Sequence, residues 1–151
     1  MSVQLNGRVA LVSGGGRGIG RGICELLASQ GASVAVNYRK DKESALETVN
    51  AIIAAGGNAR AYEASVDNPE AVLIMVDQVV ADFGYVDILV CNAGIASRGQ
   101  AVADTDPNEV LRLLNTHAIG PHHLSRCVLP SMRTRDRGDI IMISSVATSH
   151  M

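Results

Sequence analysis

The chain has 151 residues, enough for one domain, and apolar residues make up 47% of it while aromatic residues make up only 3%. Its core must therefore be built from aliphatic side chains, which suits buried parallel strands. A formal net charge of -2 without a basic block gives nucleic-acid binding no support, and no segment has the apolar length that spans a bilayer.

Strand and helix patterns alternate along the sequence. Short aliphatic runs predict five strands, at residues 9–13, 33–37, 59–64, 86–91 and 139–144. Helical periodicity and capping signals predict helices between them, at residues 18–30, 42–55, 69–83 and 107–132. We expect the first helix to present one apolar face, formed by Ile19, Ile23, Leu26 and Leu27. We expect the pair Gly120-Pro121 to kink the last helix, because proline removes a helical hydrogen bond.

This alternation predicts an α/β fold with a Rossmann-type, doubly wound parallel sheet. Right-handed crossovers place helices on both faces and give the strand order 3-2-1-4-5. A ligand crevice is then expected at the carboxyl ends of strands 1 and 4, where the strand order reverses. Without repeats, low-complexity tracts or linkers, residues 1–151 are interpreted as a single domain.

A glycine-rich turn between the first strand and the first helix is the most informative motif. It consists of Ser13-Gly14-Gly15-Gly16-Arg17-Gly18-Ile19-Gly20. Such a turn predicts phosphate binding, since unpaired N–H groups and the helix dipole face an anion there. The spacing G-x-x-x-G-x-G differs from G-x-G-x-x-G and from the triphosphate-binding P-loop. The alternative is a plain turn, which glycines also form.

The second predicted strand is followed by basic residues. An acidic residue at this position would bind the adenosine ribose diol, but the sequence has Tyr38, Arg39 and Lys40. Arg39, with Arg17 from the glycine turn, favours the 2′-phosphate of NADP over NAD. The alternative is that Arg39 and Lys40 only face solvent.

Three further sets of polar residues follow the later strands. The fourth strand ends in Asn92-Ala93-Gly94, which suits a ligand lying on the sheet but also an ordinary turn. Asn115 lies inside a predicted helix among apolar neighbours, and Ser144 and Ser145 end the fifth strand. Metal binding is rejected for His117, His122 and His123, because no spacing brings two of them and a carboxylate to one face.

Together these motifs resemble the short-chain dehydrogenase/reductase family, in order and over essentially the whole chain. Ser13-Gly14-x-x-x-Gly18-Ile19-Gly20 is similar to the family's T-G-x-x-x-G-I-G loop, and Cys91-Asn92-Ala93-Gly94 to its N-N-A-G strand end. Asn115 lies where the family has a catalytic asparagine, and Ser145 matches its catalytic serine. The glycine turn resembles that of the 3-oxoacyl-[acyl-carrier-protein] reductase branch of fatty acid biosynthesis, which uses NADPH.

The resemblance implies an oxidoreductase that reduces a carbonyl, such as that of a 3-oxoacyl thioester, with NADPH; NAD is the less favoured cofactor. It implies catalytic roles for Asn115 and Ser145. It implies a cofactor site made of Ser13, Gly14, Arg17, Gly18, Ile19, Gly20, Tyr38, Arg39, Ser65, Val66, Asn92, Ala93 and Gly94. A small-molecule or acyl-thioester substrate and a homodimer or homotetramer are expected, with no nucleic-acid or membrane partner.

The chain departs from the family pattern in several places. Ser13 replaces threonine, Cys91 replaces the first asparagine of N-N-A-G, and Ser65-Val66 replaces Asp-Val. The family's Y-x-x-x-K pair, which supplies the proton, does not occur within the 151 residues. We therefore expect an N-terminal portion of a longer enzyme, inactive alone and lacking the C-terminal part of the fold.

Two alternatives come from other functional classes. One is a non-catalytic dinucleotide-binding module, if the natural chain ends at Met151, and the other is a flavodoxin-like or receiver-like domain. A receiver-like domain would require acidic residues where Ser13 and Ala64 lie. A cytoplasmic location is expected, because the N-terminus has no signal-peptide pattern and Cys24, Cys91 and Cys127 show no C-x-x-C spacing.

Overall fold

The computed structural model describes residues 4–145, which form five strands and five α-helices in alternation. The strands are β1 (Val9–Val12), β2 (Ser33–Tyr38), β3 (Asn58–Glu63), β4 (Ile88–Cys91) and β5 (Asp139–Met142). The helices are α1 (Gly18–Ser29), α2 (Lys42–Ala54), α3 (Pro69–Phe83), α4 (Pro107–Leu114) and α5 (Gly120–Thr134). A 3₁₀ turn (Val102–Asp104) precedes α4, and one π-helical turn (Asn115–Ile119) separates α4 from α5.

The five strands form one parallel sheet in the order β3-β2-β1-β4-β5, which confirms the predicted topology. Leu11 of β1 is in register with Ala35 of β2 on one side and with Leu89 of β4 on the other. The strand order therefore reverses at β1, and the carboxyl ends of β1, β2 and β4 meet at one edge.

Each face of the sheet has its own apolar core, because successive side chains of a strand point to opposite faces. Leu11 and Leu89 lie in the core under α3 and α5, with Val72 and Val128 from those helices. The other core lies under α1 and α2, and its members include Val12, Val34, Cys24, Val49 and Ile52. Burial on both faces explains why the strands consist of continuous aliphatic runs.

The predicted apolar face of α1 is confirmed at Ile23 and Leu27, which pack against the core, and is wrong at its other two members. Ile19 is 70% exposed and Leu26 is 63% exposed, whereas Gly20, Cys24 and Ala28 are buried. The small buried residues allow α1 to lie close to the glycine turn, where a Cβ at Gly20 would meet the carbonyl oxygen of Gly14. The buried positions recur every four residues, as a single helix face requires.

The last predicted helix is interrupted earlier than the expected kink. After Leu114 the hydrogen bonding changes, and the N–H of Gly120 donates to the carbonyl of Asn115, five residues back. Pro121 has no N–H to continue the α-helical pattern, so the change in register comes before the proline. Single π-turns of this kind are frequent at functional sites. None of the helices within residues 4–145 is long and apolar enough to cross a membrane.

At the amino ends of the strands a buried carboxylate joins β1, β4 and the approach to β5. Asp87 is fully buried, and it accepts hydrogen bonds from the N–H of Val9 at 3.1 Å, from Arg137 at 3.0 and 3.1 Å and from Arg135 at 3.3 Å. Burial alone would raise the pKa of Asp87, but the bonds from Arg137, Val9 and Arg135 outweigh it and hold the pKa below its ordinary value.

Replacing Asp87 should destabilise the fold. We expect Asp87→Asn to lower the free energy of unfolding by about 2 kcal/mol, since it removes a buried charge from two arginines that are themselves partly exposed. Because its pKa is lowered by folding, the stabilisation from Asp87 is present above the unfolded carboxyl pKa and is lost as pH falls. Urea unfolding at neutral and acidic pH measures both effects.

Asp139→Asn is the matched control, because Asp139 forms an ion pair with Arg8 at 2.5 Å but is 58% exposed. That variant should lose less than about 1 kcal/mol. Equal losses in the two variants would contradict the role given to Asp87.

Candidate functional site

A groove of about 370 Å³ lies at the carboxyl edge of the sheet, above β1, β2 and β4. Most of the predicted cofactor residues line it, namely Gly14, Arg17, Ile19, Gly20, Tyr38, Arg39, Ser65, Val66, Asn92, Ala93 and Gly94. Gly16 of the predicted turn and Lys40 beside Arg39 also line it. The sequence analysis assigned no site role to the remaining lining residues, which are Asn37, Asp41, Ser44, Ala64, Ile95 and Thr116. The groove therefore runs from the end of β3 across the glycine turn to the end of β4.

Two asparagine side chains hold the glycine turn from opposite sides. On the β2 side, Asn37 accepts from the N–H of Gly14 at 3.3 Å, and its amide nitrogen lies within 3.0–3.4 Å of three carbonyl oxygens. On the β4 side, the amide of Asn92 donates to the carbonyls of Ser13 at 3.0 Å and Gly14 at 3.2 Å. The shape of the turn is thus fixed by hydrogen bonds to side chains of the protein itself.

Ser13 lies beneath the turn, which differs from its predicted place among the cofactor contacts. Its side chain is buried, and its hydroxyl oxygen accepts from the N–H groups of Asn92 at 2.9 Å and Ala93 at 3.0 Å. The hydroxyl can donate to the carbonyl of Val90 at 3.3 Å. Ser13 joins the ends of β1 and β4 and does not line the groove.

The glycines of the turn serve two different needs. A Cβ at Gly20 would lie 2.1 Å from the carbonyl oxygen of Gly14 and 2.6 Å from the amide nitrogen of Asn92, so only glycine lets α1 approach the turn. Gly18 has a positive φ of 54°, and a Cβ there would have no described atom within 4 Å. Gly18, the first residue of α1, is exposed and is not among the residues that line the groove, so a side chain there would face open space.

The amino end of α1 is electrostatically unlike those of the next three helices. Within residues 4–145, the side chains of Asp41, Asn68 and Asp106 cap α2, α3 and α4. Helix α1 begins after Arg17 with neither a side-chain cap nor an acidic residue in its first turn. Its free N–H groups and the positive end of its dipole therefore point to the groove, where a pyrophosphate fits.

The charges at the β2 end of the groove are mixed, which corrects the expectation that no acid lies there. Arg17, Arg39 and Lys40 line the groove together with Asp41. Asp41 accepts from the N–H of Ser44 at 3.1 Å and from its hydroxyl at 2.8 Å, and these two bonds lower the pKa of Asp41. Its carboxylate is engaged in capping α2, with Arg17 at 3.6 Å. Arg39 and Lys40 are exposed.

At the β3 end of the groove, Ser65 and Val66 offer one polar and one apolar contact. The hydroxyl of Ser65 donates to the carboxylate of Asp67 at 2.5 Å, so its oxygen keeps its lone pairs for an N–H donor. Val66 lies against Gly120, where a Cβ would be 2.8 Å from a Val66 methyl group. This contact brings the start of α5 close to the groove.

The predicted catalytic residues lie at the β4–β5 side of the same edge. Asn115 is exposed and begins the π-turn, and its neighbour Thr116 reaches the groove lining. Ser145 follows β5 as the last described residue and is exposed. Neither Asn115 nor Ser145 is among the described residues that line the groove. Residues 4–145 contain no group of three His, Cys, Asp or Glu side chains suited to a metal ion.

Comparisons with known proteins agree with this geometry. Residues 8–151 match the family model described as short chain dehydrogenase. The versicolorin reductase of Emericella nidulans is 40% identical over 97% of this chain and 54% of its own length. A trihydroxynaphthalene reductase of Pestalotiopsis fici is 40% identical over 83% of this chain and 44% of its own length. The chain belongs to the short-chain dehydrogenase family, and it spans about half the length of these curated relatives.

Solved structures share the fold and differ in cofactor. A metagenomic short-chain oxidoreductase in complex with NADP is 36% identical, with a TM-score of 0.89, over 95% of this chain and 64% of its own. An NAD⁺-bound xylitol dehydrogenase is 32% identical, with a TM-score of 0.90, over 96% of this chain and 55% of its own. The likeness supports a nicotinamide dinucleotide in the groove and leaves the choice between NADP and NAD to the residues of this chain.

A carboxylate placed at the amino end of α1 should prevent cofactor binding. We expect Gly18→Asp to weaken NADPH binding by the 151-residue chain at least about tenfold, because it puts a negative charge and a disfavoured backbone conformation at the pyrophosphate position. Titration followed by NADPH fluorescence measures the dissociation constant.

Gly22→Asp is the matched control, since Gly22 is exposed on the same helix and a Cβ there would also meet no described atom within 4 Å. It should bind NADPH within about twofold of the parent chain. Unchanged affinity in Gly18→Asp would refute the assignment of the pyrophosphate to this turn.

Proposed function

We propose that this short-chain dehydrogenase is the cofactor-binding portion of an NADPH-dependent reductase that converts a carbonyl into an alcohol. When bound, the cofactor supplies the hydride. The observation that carries the proposal is the uncapped amino end of α1, which opens on a groove with three cationic side chains. The residues present fit a dinucleotide, because the glycine turn leaves room for a pyrophosphate. The groove continues on both sides of the turn, to the ends of β3 and β4, where the two nucleoside halves would lie.

The basic residues at the β2 end support NADPH over NADH. Arg39 is exposed and lines the groove, where its planar guanidinium would face a 2′-phosphate, and Lys40 adds a second positive charge beside it. Asp41 lies nearby, but its carboxylate is held by Ser44 and α2 and is not placed as a ribose acceptor. The preference therefore rests on Arg39 first.

By family resemblance, Ser145 steadies the carbonyl oxygen and Asn115 supports a water that relays protons. The proton donor of the family, the tyrosine of Y-x-x-x-K, has no counterpart among Tyr38, Tyr62 and Tyr85. The hydroxyl of Tyr62 donates to Asp82 at 2.7 Å, and that of Tyr85 donates to the carbonyl of Gly7 at 2.8 Å. We propose that the 151-residue chain alone binds cofactor without reducing a carbonyl.

For the substrate we propose a ketone of a fused-ring hydroxylated aromatic compound. The support is that the named relatives include a versicolorin reductase and a trihydroxynaphthalene reductase. Neither name refers to a 3-oxoacyl thioester, so the substrate expected from the glycine turn has less support.

The natural protein tests this function directly. Its intact mass should exceed the 15.8 kDa of this chain. It should consume NADPH with a hydroxynaphthalene-type ketone at least about tenfold faster than with a 3-oxoacyl thioester, and Ser145→Ala should lower kcat about 100-fold. Faster reaction of the thioester would overturn the substrate class. Cofactor binding without turnover of either compound would instead identify a non-catalytic binding module.

Reversing the charge of Arg39 should change the cofactor preference. We expect Arg39→Asp to raise the dissociation constant of NADPH relative to that of NADH by about tenfold or more. The change replaces a hydrogen-bond donor to the 2′-phosphate by a hydrogen-bond acceptor for the ribose hydroxyls. Parallel binding titrations of the 151-residue chain with both cofactors give the ratio.

Lys42→Asp carries the same charge change at the start of α2 and does not line the groove. Its NADPH to NADH ratio should stay within about twofold of the parent ratio. An unchanged ratio in Arg39→Asp would remove this residue from cofactor selection.

A further inference from the structure

The segment of residues 95–98, called here the wall segment, follows β4 without helical or strand structure of its own. Three side chains from one helical stretch hold its backbone. Glu109 accepts from the N–H of Arg98 at 3.0 Å, and Arg112 donates to the carbonyl of Ala96 at 2.9 Å. His117, on the π-turn, places its Nε2 atom 2.8 Å from the carbonyl oxygen of Ile95 and 3.2 Å from the Ile95 nitrogen.

The ion pair between Glu109 and Arg112 is firmly held. The side chain of Glu109 is only 4% exposed, and Arg112 contacts it through two bonds, at 2.7 and 2.9 Å. The bonds from Arg112, together with the N–H and charge of Arg98, overcome the effect of burial and hold the pKa of Glu109 at about 2. Glu109 is therefore an ionised acceptor throughout the neutral range, and it anchors Arg98 to α4.

The wall segment begins inside the groove. Gly94 and Ile95 line it at the β4 end, opposite Ser65 and Val66 at the β3 end. A Cβ at Gly94 would lie 3.0 Å from the Cε1 atom of His117, so the imidazole packs directly on the Gly94 backbone. If α1 takes the pyrophosphate and the β2 end takes the adenosine, the nicotinamide half extends toward Ile95.

The bond between His117 and Ile95 does not depend on the tautomer of the imidazole. With the proton on Nε2 the ring donates to the Ile95 carbonyl, and without it the ring accepts from the Ile95 N–H. The same ring belongs to the turn that starts at Asn115. One side chain thus couples the end of β4 to the helix that carries a predicted catalytic residue.

We propose that His117 is a positioning residue that holds Gly94 and Ile95 against the nicotinamide half of the cofactor, with the Glu109–Arg112 pair securing the rest of the wall segment. The proposal rests on the proposed function in one respect, that the groove binds a nicotinamide dinucleotide. It assigns no proton transfer and no direct substrate contact to His117.

The test separates the two halves of the cofactor. Titrations of the 151-residue chain use NADPH and adenosine 2′,5′-bisphosphate, which carries the 2′-phosphate but no nicotinamide. His117→Ala should weaken NADPH binding about fivefold, which corresponds to the loss of one hydrogen bond. The dissociation constant of the bisphosphate should stay within about twofold of the parent value. It should also change the emission of bound NADPH, which reports the surroundings of the nicotinamide.

Two further variants sharpen the result. His117→Gln keeps a donor and an acceptor at a similar reach and should restore the parent affinity and emission. His122→Ala removes an exposed histidine of α5 that contacts the ring of His123, and it should behave like the parent chain.

Equal weakening of both ligands in His117→Ala would show a general structural role and overturn the proposal, as would unchanged NADPH affinity. Failure of the parent chain to bind either ligand would overturn the proposed function and the inference together. A parent chain that binds both ligands, with variants that leave NADPH binding unchanged, overturns only the inference.

Discussion

The site depends on a short glycine turn that two amide side chains, one buried and one half-buried, hold in place. Asn37 reaches the turn from β2 and Asn92 reaches it from β4, so the turn is bonded to both neighbours of β1. Each such bond contributes on the order of 1 kcal/mol, but a buried amide left without a partner costs more. The position of the turn is thus specified by the sheet order, and it places the amino end of α1 at the groove.

The amino ends and the carboxyl ends of the strands have different roles. At the amino ends, Asp87 and its arginines join β1 and β4 through a buried charge. At the carboxyl ends, Ser13 and Asn92 join the same two strands beneath the glycine turn, and the groove lies above it. The stable edge holds the strands in register, so that the open edge keeps the spacing a dinucleotide requires. Function is confined to the edge where the backbone leaves regular structure.

The sequence predicted most of the fold because its signals are local. Aliphatic runs, glycines and caps identify strands, turns and helix starts, and parallel connection rules then order the strands. The apolar face predicted for α1 is right at Ile23 and Leu27 and wrong at Ile19 and Leu26, because hydrophobicity carries no information on how α1 is turned toward the sheet. The π-turn after Leu114 was also missed, since it depends on a shift in hydrogen-bond register that periodicity does not show.

Groove residues can be predicted where they belong to a sequence motif. They cannot be predicted where their role depends on a contact with a residue distant in the sequence. Asn37 could have been found as a polar residue ending a buried strand, yet its bonds to Gly14 and Ala64 require the sheet order. Asp41 follows two basic residues, and only its contacts show that it caps α2. His117 was considered only as a metal ligand, because its partner Ile95 lies 22 residues away in the chain.

The central claim is that the glycine turn is formed before the cofactor arrives and that its N–H groups receive the pyrophosphate. Amide NMR spectra of the chain, recorded during titration with NADPH, test it most directly. We predict the largest shifts at Gly18, Ile19 and Gly20, with the side-chain amides of Asn37 and Asn92 already protected from exchange without cofactor. Shifts centred elsewhere, or protection of those amides only after NADPH is added, would contradict the account.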